Sequence, residues 1–138
     1  LPQTNLETLR LMFAAFNAGD RAAQEALMDP DVTITEAAGL PYGGIYRGIA
    51  GWWELIGKIM ATYRTVTTVP LEIIGEAAGD RFAALHRLTG TAAATGRTVD
   101  LEIFELWIFR AGKIIEVRPF YWDTHAVACA TAGTTPSG

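Results

Sequence analysis

Glu36 closes a short alternating run, Val32-Thr-Ile-Thr-Glu36. Alternate side chains of a strand share a face, so Glu36 lies on the face of Val32 and Ile34. If that face is the apolar interior, the carboxylate must be paired, protonated or used, because a bare buried charge is costly. A carboxylate in an apolar space is suited to moving a proton, since burial brings its pKa toward neutrality. Tyr42 and Tyr46 follow in and just after the turn-rich loop Gly39-Leu-Pro-Tyr-Gly-Gly44. Their phenols could donate to an oxygen on which negative charge develops. His86, in the middle of a later β-branched and apolar run, is a further candidate catalytic partner. Each has a plainer alternative. Glu36 could pair with Arg47 or Arg118, Tyr42 and Tyr46 could pack on loop and sheet, and His86 could be a hydrogen-bonded core residue.

Other chemistry finds less support. The two histidines, His86 and His125, are far apart, and no His or Cys pair has metal-ligand spacing, so no metal and no cofactor is expected. Cys129 is the single cysteine, which excludes an internal disulfide and fits a reducing, cytoplasmic setting. The net charge of −4 and the lack of a basic cluster argue against nucleic acid as a partner. No apolar run approaches the roughly 20 residues of a membrane span, and Leu1-Pro-Gln-Thr-Asn5 does not read as a signal peptide. Hydrophobic residues make up 50% of the 138 and charged ones 19%. That is enough apolar material for one domain over 1–138, with an apolar cavity or subunit interface besides its core.

The elements that would position these groups follow from periodicity. Thr4-Asn-Leu-Glu7 has capping-box spacing, and Leu6, Leu9, Met12, Phe13 and Phe16 then recur at helical intervals. Asp20 caps a short second helix over 21–28, and Met28-Asp-Pro-Asp31 breaks it. A strand over 32–37 leads into the loop. A helix over 49–63 presents Trp52, Leu55, Ile56, Ile59, Met60 and Tyr63 on one face, with Trp53 off that stripe toward a cavity mouth or an interface. From Thr65 the period becomes two, giving strands over 65–74, 81–93, 99–110 and 113–122. Pro70 places the first of these at an edge or at a bulge. Asp123 begins a terminal helix as its cap, and 132–138 reads as a loose tail. Helices beside a meander of long antiparallel strands imply an α+β fold, a curved antiparallel sheet wrapped as a cone around N-terminal helices with a pocket at its open end.

This order, with Glu36, Leu40-Pro-Tyr-Gly-Gly44, Tyr46-Arg-Gly48, Gly112-Lys-Ile114 and Phe120-Tyr-Trp-Asp123, resembles the nuclear transport factor 2-like superfamily. Within it the chain is most similar to the SnoaL-like and ketosteroid-isomerase-like branch, over about residues 4–130. The resemblance implies a general base at Glu36, five residues after the Asp31 that opens the strand. It implies a second carboxylic acid, kept neutral by its apolar site, at Glu105. Alternation puts Glu105 with Ile103, Trp107 and Phe109; were the other face inward, Glu102, Phe104 and Leu106 would take their place. The branch's oxyanion tyrosine falls at about Met12, which cannot donate, and its last-strand aspartate falls at Pro119 or Phe120.

The expected activity is therefore a cofactor-free isomerisation, dehydration or cyclisation of a small apolar or carbonyl-containing molecule. Glu36 would be the base, with Glu105, Tyr42, Tyr46 or His86 as the donor. Met12, Phe16 and Trp53 would contact the substrate, as would Ile103, Trp107, Tyr121 and Asp123. Arg118 and Tyr121 lie on opposite faces of the last strand, so only one of them points inward; Arg118 there would favour an anionic substrate. The alternative is a ligand-binding or dimerisation module without turnover. A homodimer through the apolar outer face of the sheet is expected under either reading.

Overall fold

The computed structural model describes residues 2–132. Helix α1 (Asn5–Ala18) starts at a capping box. The Glu7 amide donates to Thr4 Oγ1 (3.2 Å) and the Thr4 amide donates back to the Glu7 carboxylate (2.9 Å). Helix α2 (Arg21–Leu27) is capped by Asp20, whose Oδ1 accepts from the Ala23 amide. Then come β1 (Met28–Glu36), β2 (Gly44–Arg47), α3 (Gly48–Thr62), β3 (Tyr63–Ile74), β4 (Arg81–Ala92), β5 (Thr98–Arg110), β6 (Lys113–Tyr121) and α4 (Thr124–Ala132). The tail read over 132–138 lies, beyond Ala132, outside the described residues. Among the described residues no helix is long and apolar enough to cross a membrane.

The strands form one sheet in the order β2-β1-β6-β5-β4-β3. Three features differ from the sequence reading. Residues 44–47, read as part of a loop, pair with 33–36 as a short antiparallel strand. Met28-Asp-Pro-Asp31, read as a break, belongs to β1, whose register against β6 shifts between Met28 and Thr33. That irregularity accommodates Pro30, which has no amide to give to a ladder. Lastly, β1 runs parallel to β6, so the sheet is mixed rather than wholly antiparallel. A tight hairpin imposes opposite directions only on the strands it joins. β1 and β6 are remote in sequence, and the helix and meander between them set their directions. Pro70 sits on the edge strand β3, beside a register shift, as a strand proline must.

The face of β5 is settled by burial. Leu101, Ile103, Trp107 and Phe109 are buried while Glu102 and Phe104 are exposed. Helices α1 and α3 pack on this inward side through Leu9, Met12, Trp52 and Leu55. Each such side chain contributes roughly 1.5–3 kcal/mol by leaving water. A buried glutamine ties the helices together. The Trp52 indole N–H donates to Gln24 Oε1 (3.2 Å), and Gln24 Nε2 donates to the carbonyls of Ala15 (3.3 Å) and Asp20 (3.2 Å).

Two glycines of α3 make opposite predictions. A Cβ on Gly51 would lie 2.9 Å from the Tyr46 carbonyl carbon, whereas a Cβ on exposed Gly57 meets nothing within 4 Å. Gly57→Ala is expected to raise stability by about 0.5–1 kcal/mol through helix propensity. Gly51→Ala is expected to lower it by roughly 1–3 kcal/mol, because α3 must lift off β2. Urea denaturation of the two variants checks both signs.

Candidate functional site

Between the inward face of the sheet and helices α1 and α3 lies a cavity of about 570 Å³. Met12 and Phe16 wall it from α1, Trp52 and Leu55 from α3, and Val69 and Pro70 from the edge strand. Glu36 opens into it from the end of β1 and is only 6% exposed. Its Oε2 is buried without a hydrogen-bond partner. Arg47 and Arg118, the alternatives considered for pairing it, are both exposed. Burial, and then the negative charge of Glu105, push the Glu36 carboxyl up from 4.5 to about 8.

Sheet register explains why these two acids meet. Ile34 of β1 lies beside Val117 of β6, and Glu105 of β5 lies beside Pro119 of β6. Continuing the parallel register by two residues brings Glu36 beside Pro119. The two carboxyls thus occupy one cross-strand row, one strand apart, on the same face. Both line the cavity.

Glu105 has aromatic company. The Trp107 indole N–H donates to its Oε1 (3.1 Å), and His86 Nε2 stands 2.8 Å from the same oxygen. That separation is within ion-pair range, and neither ring nitrogen of His86 has a directed hydrogen bond. The His86 side chain is 6% exposed, and Phe13 meets the ring edge-on at 4.8 Å. The resemblance assigned the retained proton to Glu105. The carboxyl that burial and the neighbouring charge of Glu105 push up is Glu36.

A set of phenols stands next to Glu36. Tyr121, at the end of β6, lines the cavity. Its hydroxyl is 2.7 Å from that of Tyr42, which is 3.2 Å from that of Tyr63. Burial, and then the charge of Glu36, hold Tyr121 well above the ordinary phenol range. Burial raises Tyr42 and Tyr63 as well. All three therefore stay neutral O–H groups. Tyr46 donates its hydroxyl to the Tyr42 carbonyl (2.8 Å), fixing the loop that carries Tyr42.

Of the residues singled out in the sequence, Glu36, Glu105, His86, Met12, Phe16, Ile103, Trp107 and Tyr121 line this one cavity. Tyr42 and Tyr46 do not. They are buried behind the wall as supports, because the loop folds back onto the sheet. Trp53 points away from the cavity, its N–H 2.6 Å from Glu25 and its ring under the Arg21 guanidinium at 3.9 Å. Arg118 is exposed on the opposite face, over the Phe120 ring, because Tyr121 takes the inward face. Asp123 is an exposed helix cap, accepting from the Ala126 amide at 2.9 Å. Tyr63 was read only as the last residue of the helical apolar face, because it stands where helical period gives way to strand period. Pro119 was noticed only as a missing aspartate. Among the described residues no three His, Cys, Asp or Glu side chains are grouped to hold a metal.

Known proteins are similar to this chain in sequence and in fold. The chain is 28% identical over 122 residues to an uncharacterized protein of Mycobacterium tuberculosis, covering 88% of this chain and 92% of the relative. It is similar in structure to an NTF2-like protein of Burkholderia thailandensis, with TM-score 0.86, 28% identity and coverage of 94% and 98% of the two chains. It is similar also to TerC co-crystallised with polyporic acid, with TM-score 0.82, 25% identity and coverage of 93% and 98%. The profile of the SnoaL-like domain matches residues 9–117, most of the chain and all six strands but the last turns of β6, and the protein belongs to that family within the nuclear transport factor 2-like superfamily.

Proposed function

We propose that the cavity binds a small apolar carbonyl compound and that Glu36 moves a proton on it, in a cofactor-free isomerisation, dehydration or cyclisation. One observation carries this reading: the unpartnered Glu36 carboxyl, in an apolar cavity beside Glu105, is pushed up to about 8. A group with that pKa exists in both forms near neutral pH, so it takes a proton and returns it at little cost. As carboxylate, Glu36 removes a proton from the carbon next to the carbonyl. The electron pair of that C–H bond moves to the carbonyl oxygen as an enolate. Tyr121 donates its hydroxyl to that oxygen, and Tyr42 and Tyr63 hold Tyr121 as positioning residues. Protonated Glu36 then returns the proton to another atom of the substrate, or a leaving group departs. TerC, similar in fold, was co-crystallised with polyporic acid, which supports a small-molecule-binding role.

The sheet's opposite face supports a homodimer in the same reading. Phe104 and Phe120 are cross-strand partners there, 39% and 55% exposed, and Trp122 follows at 86%. Neighbouring apolar groups of this size are what a self-complementary interface buries.

Three outcomes are expected. Glu36→Gln should keep the fold and ligand affinity while lowering turnover by about 10²–10⁴-fold; full activity in that variant, or tolerance of Glu36→Leu without loss, would instead mark a binding module. Stability should also depend on pH through Glu36. Between 4.5 and about 8 the unfolded chain has released this proton and the folded chain has kept it. The contribution is therefore fully present below 4.5 and falls as pH rises, by on the order of 4–5 kcal/mol in all. Urea midpoints at pH 5 and pH 8 should show the wild type losing stability relative to Glu36→Gln, and parallel behaviour would contradict the buried-acid assignment. For the dimer, Phe120→Asp should give a monomer by sedimentation velocity without unfolding, whereas an unchanged sedimentation coefficient removes this face from the interface.

A further inference from the structure

Among the described residues, the buried side-chain polar atoms without a hydrogen-bond partner are Glu36 Oε2 and the two ring nitrogens of His86. Both residues line the same cavity. A folded protein rarely leaves such atoms bare, because an unpaired buried donor or acceptor is costly, so their shared location points to what the cavity is built to receive.

The sheet sets the two sites apart. His86 of β4 is beside Ile103 of β5, which is beside Tyr121 of β6. Glu105 and Pro119 form the adjacent row, with Glu36 continuing it on β1. One polar station, Glu36 with Tyr121, therefore stands on β1 and β6. The other, His86 with Glu105, stands on β4 and β5. Ile103 and Pro119 form an apolar floor between them. Corresponding members of the two stations are two strands apart, about 10 Å at the backbone.

The first station also has a defined donor. Three hydroxyls, those of Tyr63, Tyr42 and Tyr121, share two hydrogen-bond links, which leaves one proton over. If the chain runs from Tyr121 inward, or if both outer hydroxyls donate to Tyr42, that proton is left on Tyr63 or on Tyr42, both buried, with no acceptor among the described residues. If it runs from Tyr63 outward, the proton emerges from Tyr121 into the cavity, where a ligand oxygen can accept it. Each donation polarises the next hydroxyl and strengthens the last.

We infer that the ligand carries two oxygen functions on one apolar body, a carbonyl received by Tyr121 and Glu36 and a hydroxyl received by His86 and Glu105. The hydroxyl donates to Nδ1 of His86, whose Nε2 stands 2.8 Å from the Glu105 carboxylate that positions the ring, so this station selects a donor while the first selects an acceptor. The inference rests on the carbonyl-binding reading of the cavity and adds the second function and its place.

Three probes test it by calorimetric titration: 2-acetylnaphthalene, 2-naphthol and 6-hydroxy-2-acetylnaphthalene. In the wild type the added hydroxyl is expected to tighten binding of the ketone roughly five- to tenfold, the scale of one net hydrogen bond. His86→Phe should erase that gain and leave 2-acetylnaphthalene unchanged. Tyr121→Phe should weaken both ketones and spare 2-naphthol. If His86→Phe does not fold, Glu105→Gln reads the same station and must also reduce the gain. A ketone that binds with no gain from the hydroxyl, or a gain that survives His86→Phe, overturns the two-station ligand while leaving the carbonyl reading intact. Failure of every probe to bind overturns both.

Discussion

Two carboxyl groups in one apolar cavity cannot both be ionised without a large cost, and the interior of this protein is arranged around that constraint. Water is excluded from Glu36 by the helices that cover the sheet, so its charge is poorly solvated. Glu105 adds repulsion from across β6. The two acids settle the conflict by taking different partners. Glu105 accepts from the Trp107 indole and has His86 beside it, while Glu36 Oε2 is buried without a hydrogen-bond partner. Acids of one type are thereby made unequal by what surrounds them, as proton-transfer sites require.

The fold creates this difference through strand register. β1 joins the sheet in parallel beside β6, and that pairing brings Glu36 into the row of Pro119 and Glu105. A slip of one residue would turn Glu36 outward and bring Thr35 in its place. The loop after β1 returns as β2 and delivers Tyr42 behind Tyr121, held there by Tyr46. Gln24 joins both N-terminal helices to Trp52 of α3, and so holds the roof over the acids. Glu36, Glu105, His86 and Tyr121 thus stand on strands, while strands and helices share the apolar wall around them.

Much of this was legible in the residues. Alternation placed Glu36 with Val32 and Ile34, and Glu105 with Ile103 and Trp107, because a strand with one buried face has a strict period of two. The helices were legible from their caps and stripes. What required coordinates was partnership across the chain. Arg118 and Tyr121 have opposite orientations, and nothing local says which turns inward. Tyr42 and Tyr46 were visible as phenols, but the return of their loop, and with it their place behind the wall, depends on the pairing of β2 with β1. Tyr63 was legible only as a helix residue, because it stands at the junction of two periods. The parallel pairing of β1 with β6 joins residues some eighty positions apart, beyond the reach of any local pattern.

The central claim is that Glu36 keeps its proton near neutral pH because of burial and of Glu105. It is read most directly from the infrared carbonyl band of a protonated carboxyl, identified as the band missing in Glu36→Gln and followed against pH. The band should disappear with a midpoint at about 8, and Glu105→Gln should move that midpoint down without returning it to 4.5. A midpoint near 4.5 in the wild type, or one that ignores Glu105, would contradict it.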